Sequence, residues 1–121
     1  MAGYLPKTLS SEPFTLPTSA DVTGGRLVAV SGSQTVAHAA DDSAVIVGVA
    51  GFDALSGEPL TIYPLAGSIQ KLTASAAIAA GARVVAEDLG KIQTIAAKTN
   101  PIGVALEAAA ADGDVIDVFC F

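Results

Sequence analysis

The sequence repeats itself. Val47-Gly48-Val49-Ala50 returns as Ile102-Gly103-Val104-Ala105 at an offset of 55 residues, and Leu60-Thr61-Ile62-Tyr63 returns as Ile116-Asp117-Val118-Phe119 at 56. Upstream, Gly24-Gly25-Arg26-Leu27-Val28-Ala29 is matched by Gly81-Ala82-Arg83-Val84-Val85-Ala86 at 57, and Thr35-Val36-Ala37 by Thr94-Ile95-Ala96 at 59. A drifting offset is what small insertions in turns produce, because turns tolerate them. The duplication constrains the fold more than any single segment does. Both copies must solve the same burial problem with the same kind of residues.

Each copy reads as hairpin, buried strand, turn, alternating strand. In the first, residues 26–30 and 34–37 flank Ser31-Gly32-Ser33, a hairpin with a glycine-containing turn. Residues 44–50 (AVIVGVA) form a near-continuous apolar run, as expected of a strand buried on both faces. Residues 60–63 alternate and stop at Pro64, and 68–72 alternate more weakly. The second copy follows with strands expected at 83–87, 91–96, 102–106 and 114–121, the last alternating cleanly. The Ala-rich stretch before Gly81 predicts one short helical turn over 75–80. A few strands alone are marginal in water. Two such halves facing each other can close one small barrel and remove the exposed sheet edges. The expectation is therefore an all-β fold, a small closed β-barrel of the β-tulip kind, with pseudo-repeats at about 20–66 and 77–121. Gly48 and Gly103 sit inside strands, which marks bends or close backbone approach.

Residues 1–19 differ from this 20–121 domain. Pro6, Pro13 and Pro17 recur among Ser and Thr, so the segment is extended, since proline fixes φ and biases its predecessor toward extended geometry. It nevertheless carries Tyr4, Leu5, Leu9, Phe14 and Leu16. Such a segment can be a first strand lying on its own domain. It can also be an arm whose apolar side chains anchor it to a neighbouring subunit. We expect the arm, with those five residues as anchors. The first twenty residues have one base, Lys7, and no central apolar run, so a secretory pattern is not expected.

Composition removes most other functions. At 121 residues the chain has a one-domain length, and at 51% hydrophobic it is too apolar to be broadly disordered. Its formal charge of -6 and its six scattered bases do not suit a phosphate backbone, so no nucleic-acid partner is expected. No apolar run is long enough to span a bilayer, so no membrane partner is expected either. Cys120 is the single cysteine and alternates within an apolar strand, as a buried small hydrophobe would. His38, the single histidine, lies at a strand end. The acidic pairs Asp41-Asp42 and Glu87-Asp88, and Asp112 with Asp114, read as solvated turns without the spacing of a calcium loop. No phosphate-loop string occurs. We expect no catalytic residue, no cofactor and no metal: a protein that works by binding, not an enzyme.

Three segments carry a resemblance. They are Ala80-Gly81-Ala82-Arg83-Val84-Val85, then Asn100-Pro101-Ile102-Gly103-Val104-Ala105-Leu106-Glu107-Ala108-Ala109, then Asp112-Gly113-Asp114-Val115-Ile116-Asp117-Val118. In this order they resemble the capsid cement, or head decoration, proteins of tailed bacteriophages. The resemblance covers roughly residues 20–121 and is best from Ala77 onward; the arm lies outside it. It implies a small β-barrel on the outer face of an icosahedral capsid, seated at junctions between major capsid protein subunits and stabilising the expanded, DNA-filled shell. It also implies self-association, as a homotrimer or, in some phages, a dimer. The expected location is the virion surface after synthesis in the host cytoplasm. A carbohydrate-binding or adhesive β-module is the competing class; such modules present aromatic rings to sugar faces.

Overall fold

A computed structural model describes residues 3–121 and shows two five-stranded antiparallel sheets. The strands are β1 (Phe14–Pro17), β2 (Leu27–Gly32), β3 (Thr35–His38), β4 (Ile46–Ala50), β5 (Pro59–Tyr63), β6 (Ile69–Thr73), β7 (Arg83–Ala86), β8 (Ile92–Thr94), β9 (Gly103–Ala105) and β10 (Val115–Cys120). The first sheet runs β1-β5-β4-β2-β3 and the second β6-β10-β9-β7-β8. The two orders are one order, shifted by five strands.

Alternation decides which side chains go in. In β5, Leu60 and Ile62 point inward, opposite Leu16 and Phe14 of β1. In β10, Ile116, Val118 and Cys120 do the same. The first sheet curls around Val22, Val28, Val36, Ala50, Ala54, Leu60 and Ile62. The second curls around their equivalents Ile78, Val84, Ile92, Ala105, Ala109, Ile116 and Val118. The equivalence extends to single hydrogen bonds. Ser19 N–H donates to Val36 O at 2.9 Å, and Ser75 N–H to Ile92 O at 2.9 Å. The parallel bridge Thr18–Val36 ties the two end strands of the first sheet together, as Ala74–Ile92 does in the second.

Four expectations change here. First, the halves do not share one closed barrel. Each is a separate sheet curled on its own core, with its end strands meeting at a single bridge instead of a ladder. In each half five inward side chains come from the strands and two more from a bridge between the connecting segments, Val22–Ala54 in the first and Ile78–Ala109 in the second. Second, the copies include β1 and β6, so they run over 14–63 and 69–120 and not 20–66 and 77–121. Third, the offset is 56 in the hairpins, where 57 and 59 were inferred. Val28 pairs with His38 and Gly48, and Val84 pairs with Thr94 and Gly103. Strings of Ala and Val look alike after a slip, but a slip by an odd number turns every inward side chain outward. Fourth, 75–80 is not helical. Ile78 forms an antiparallel bridge with Ala109, and the one helical piece among the described residues is the 3₁₀ turn Asp88–Gly90. A single turn is costly to nucleate, and burial of the 3% exposed Ile78 outweighs alanine propensity.

The repeats pack end against face. Leu27, Ala29, Ala39 and Val49, from the outer face of the first sheet, join the core of the second with Ala86, Ile102 and Cys120. Gly90 lies against Leu27 O, and its N–H donates to Ala39 O at 3.0 Å. A Cβ on Gly90 would overlap the Leu27 carbonyl. The Asp41-Asp42 turn latches the contact. The Asp42 carboxylate accepts from Asn100 N–H at 2.9 Å and from Thr99 N–H and Oγ1–H, and the Asn100 amide donates back to Asp42 O at 2.9 Å. Asp41 accepts from Lys98 Nζ at 2.7 Å and Gln93 Nε2 at 2.6 Å. A pair expected to be solvated turn residues is thus the joint between the repeats.

Candidate functional site

The five expected anchor residues divide. Phe14 and Leu16 belong to β1, half-buried against the first core. Tyr4, Leu5 and Leu9 precede it and are exposed, at 82%, 88% and 67%. The segment ahead of β1 bends at Leu9, whose N–H donates to the Glu12 carboxylate at 2.7 Å. Tyr4, Leu5 and Leu9 are therefore free to contact another molecule, whereas Phe14 and Leu16 hold the base of the segment to its own sheet.

Further apolar surface lies on the body. Ile69, Phe119, Val104 and Arg83 are successive register partners across β6, β10, β9 and β7, so they form one row on the outer face of the second sheet. Arg83 stacks its guanidinium 5.4 Å from the centre of the Phe121 ring. At the other extremity, Val30 and Val45 are exposed where Val30 N–H bonds Val45 O at 3.1 Å. Sequence reasoning took these residues for ordinary strand positions. The repeat already sets Phe119 and Val104 against Tyr63 and Val49 of the first copy; that they share one outer row with Ile69 and Arg83 follows only from the cross-strand pairing.

Among the described residues three lysines form ion pairs with aspartates. Lys71 bonds Asp117, Lys91 bonds Asp112 and Lys98 bonds Asp41. The bond from Lys98, with that from Gln93, holds the Asp41 carboxyl below its usual range. Desolvation opposes ionisation of Asp42, but the Thr99 and Asn100 donors outweigh it and its carboxyl is also held low. His38 Nε2 accepts from Thr23 N–H at 2.9 Å; partial burial first, and the Arg26 charge second, hold its pKa low. Burial pushes the Cys120 thiol up to about 11, the opposite of an activated nucleophile. Among the described residues no three His, Cys, Asp or Glu side chains are grouped to hold a metal, and no buried side-chain polar atom lacks a partner. A depression of about 410 Å³ lies beside β1, lined by Lys7, Thr8, Phe14, Thr15, Leu16 and Gln34. No converging titratable groups line it.

Comparison with known proteins agrees with that geometry. No curated protein matches the chain. Among solved structures, the N base of head fiber gp8.5 of bacteriophage phi29 has the same fold, with a TM-score of 0.73 at 24% identity over 91% of this chain and 93% of that one. The phage cement protein model matches residues 9–119, which takes in all of the first sheet and nearly all of the second. The chain therefore belongs to the phage cement protein family, a family of structural, capsid-associated phage proteins.

Proposed function

We propose that the protein decorates the outer surface of an icosahedral phage head, binding at junctions between major capsid protein subunits and stabilising the expanded, DNA-filled shell. The observation that carries this reading is the exposed apolar arm, Tyr4, Leu5 and Leu9, standing ahead of two sheets that have buried their own cores. Self-association as a homotrimer, with a dimer as the other possibility, multiplies the contact, because linked copies bind with an effective concentration that single copies lack. The acidic surface suits a position outside the shell, away from packaged DNA. The reading is structural and assigns no reaction, cofactor or metal.

The test is co-sedimentation of the purified protein with empty expanded and unexpanded capsids. A truncation lacking residues 2–13 keeps β1 and hence the fold. The full chain is expected to bind expanded shells and the truncation to bind them at least about tenfold more weakly, the loss of one or two buried apolar side chains at an interface. Full binding by the folded truncation would remove the arm from the interface. No binding of the full chain to either shell would overturn the function.

A further inference from the structure

The two sheets are equivalent, but their ends are not equally covered. In the second sheet the end lined by Leu72, Ala86, Ile102 and Cys120 is closed by the outer face of the first, and these residues are 0%, 0%, 7% and 0% exposed. Their equivalents in the first sheet are Leu16, Val30, Val47 and Pro64. None of these is buried, and Val30 is 51% exposed. Leu16 and Val30 line an open depression of about 310 Å³ with the Gly32–Thr35 turn. Val45, 55% exposed, adjoins it. The first sheet thus has the same apolar end as the second, without the cover.

The covering face is also present twice. The register row Tyr63–Val49–Leu27 of the first sheet contributes Val49 and Leu27 to the closure. Its equivalent in the second sheet is Phe119–Val104–Arg83, extended by Ile69, and it is open: Ile69 is 60% and Phe119 42% exposed. One molecule therefore carries an uncovered end and an open row that correspond to the two sides of its own internal joint, although Val85, the counterpart of Ala29, is already buried. Arg83 stands where Leu27 stands, its charge at the rim and its guanidinium over Phe121.

We propose that the open end of the first sheet is a docking site for the second sheet of another copy of this chain, through the row Ile69–Phe119–Val104–Arg83. The contact repeats between molecules the end-against-face packing that joins the two repeats within one. It is heterologous, each copy using a different surface on either side, so copies close into a ring when the rotation permits and extend into a filament when it does not. The inference rests on the self-association proposed above and names the surfaces that produce it.

The experiment measures solution mass by light scattering, without capsids. It compares the full chain with Val30→Glu and Val45→Glu at the open end and Ile69→Glu on the row, all three at exposed positions that leave the cores intact. The full chain is expected to be oligomeric, and each variant alone to fall to the 12.0 kDa monomer mass. Mixing Val30→Glu with Ile69→Glu restores one intact end and one intact face, so one-to-one dimers and nothing larger are expected. A full chain that stays monomeric overturns self-association altogether. An oligomer that survives both Val30→Glu and Val45→Glu, or a mixture that stays monomeric, overturns these surfaces and leaves self-association standing.

Discussion

Gly48 and Gly103 provide the sharpest test of the internal equivalence. A Cβ on Gly48 would overlap Tyr63 O and stand 2.7 Å from Ile62 Cγ2; on Gly103 it would overlap Phe119 O and stand 2.9 Å from Val118 Cγ1. The obstructing atoms are backbone, so β4 must leave β5, and β9 must leave β10, by about 1 Å for an alanine to fit. Overpacking costs about 1–3 kcal/mol, and a loosened ladder hydrogen bond adds about 1 kcal/mol. Each substitution, Gly48→Ala and Gly103→Ala, is therefore expected to cost about 2–4 kcal/mol, or about 8–16 °C in Tm for a chain of this size. Gly57→Ala is the control. Nothing lies within 4 Å of its added Cβ, and only its φ of +87° opposes the change, at about 1 kcal/mol. The assay is thermal unfolding followed by circular dichroism. If Gly48→Ala is as mild as Gly57→Ala, the close strand approach is not what selects glycine there. If one of Gly48→Ala and Gly103→Ala is harmless and the other severe, the two sites are not equivalent.

Three further outcomes follow from the same geometry. The folded pKa of His38 lies below its ordinary 6.5; its contribution to stability is complete above that value and declines as pH falls through it, because the unfolded chain takes up the proton first. Urea midpoints should drop as pH falls below about 6.5, and His38→Gln, which keeps an acceptor for Thr23 N–H, should flatten that segment; an unchanged slope refutes the assignment. Asp41 and Asp42, held below their ordinary 3.8, act in a separate window, their contribution being lost as pH falls below about that value. Asp42→Ala should speed hydrogen exchange at the Thr99 and Asn100 amides while leaving Val84 protected; unchanged exchange at both would show that the turn is no latch. Cys120, with its thiol near 11 and no exposed surface, should resist alkylation at pH 8 and react promptly in guanidinium, and rapid native labelling would contradict its burial.

Local and periodic features can be read from the chain without its fold. Inward Leu60, Ile62, Ile116 and Val118 declare their faces by alternation, and Gly48 and Gly103 mark where strands approach closely, so the all-β class and the duplication were legible. Register and partnership were not. The slip from 56 to 57 and 59 is invisible in strings of Ala and Val, and only cross-strand pairing distinguishes them. Phe14 and Leu16 look like Tyr4 and Leu5 in sequence; β5 takes the first pair and leaves the second exposed. Asp41-Asp42 reads as any acidic turn until Thr99 and Asn100, nearly sixty residues away, are folded against it. Tertiary structure decided these matters because each depends on contacts between residues far apart in the chain, and local propensity carries no term for a partner it has not yet met.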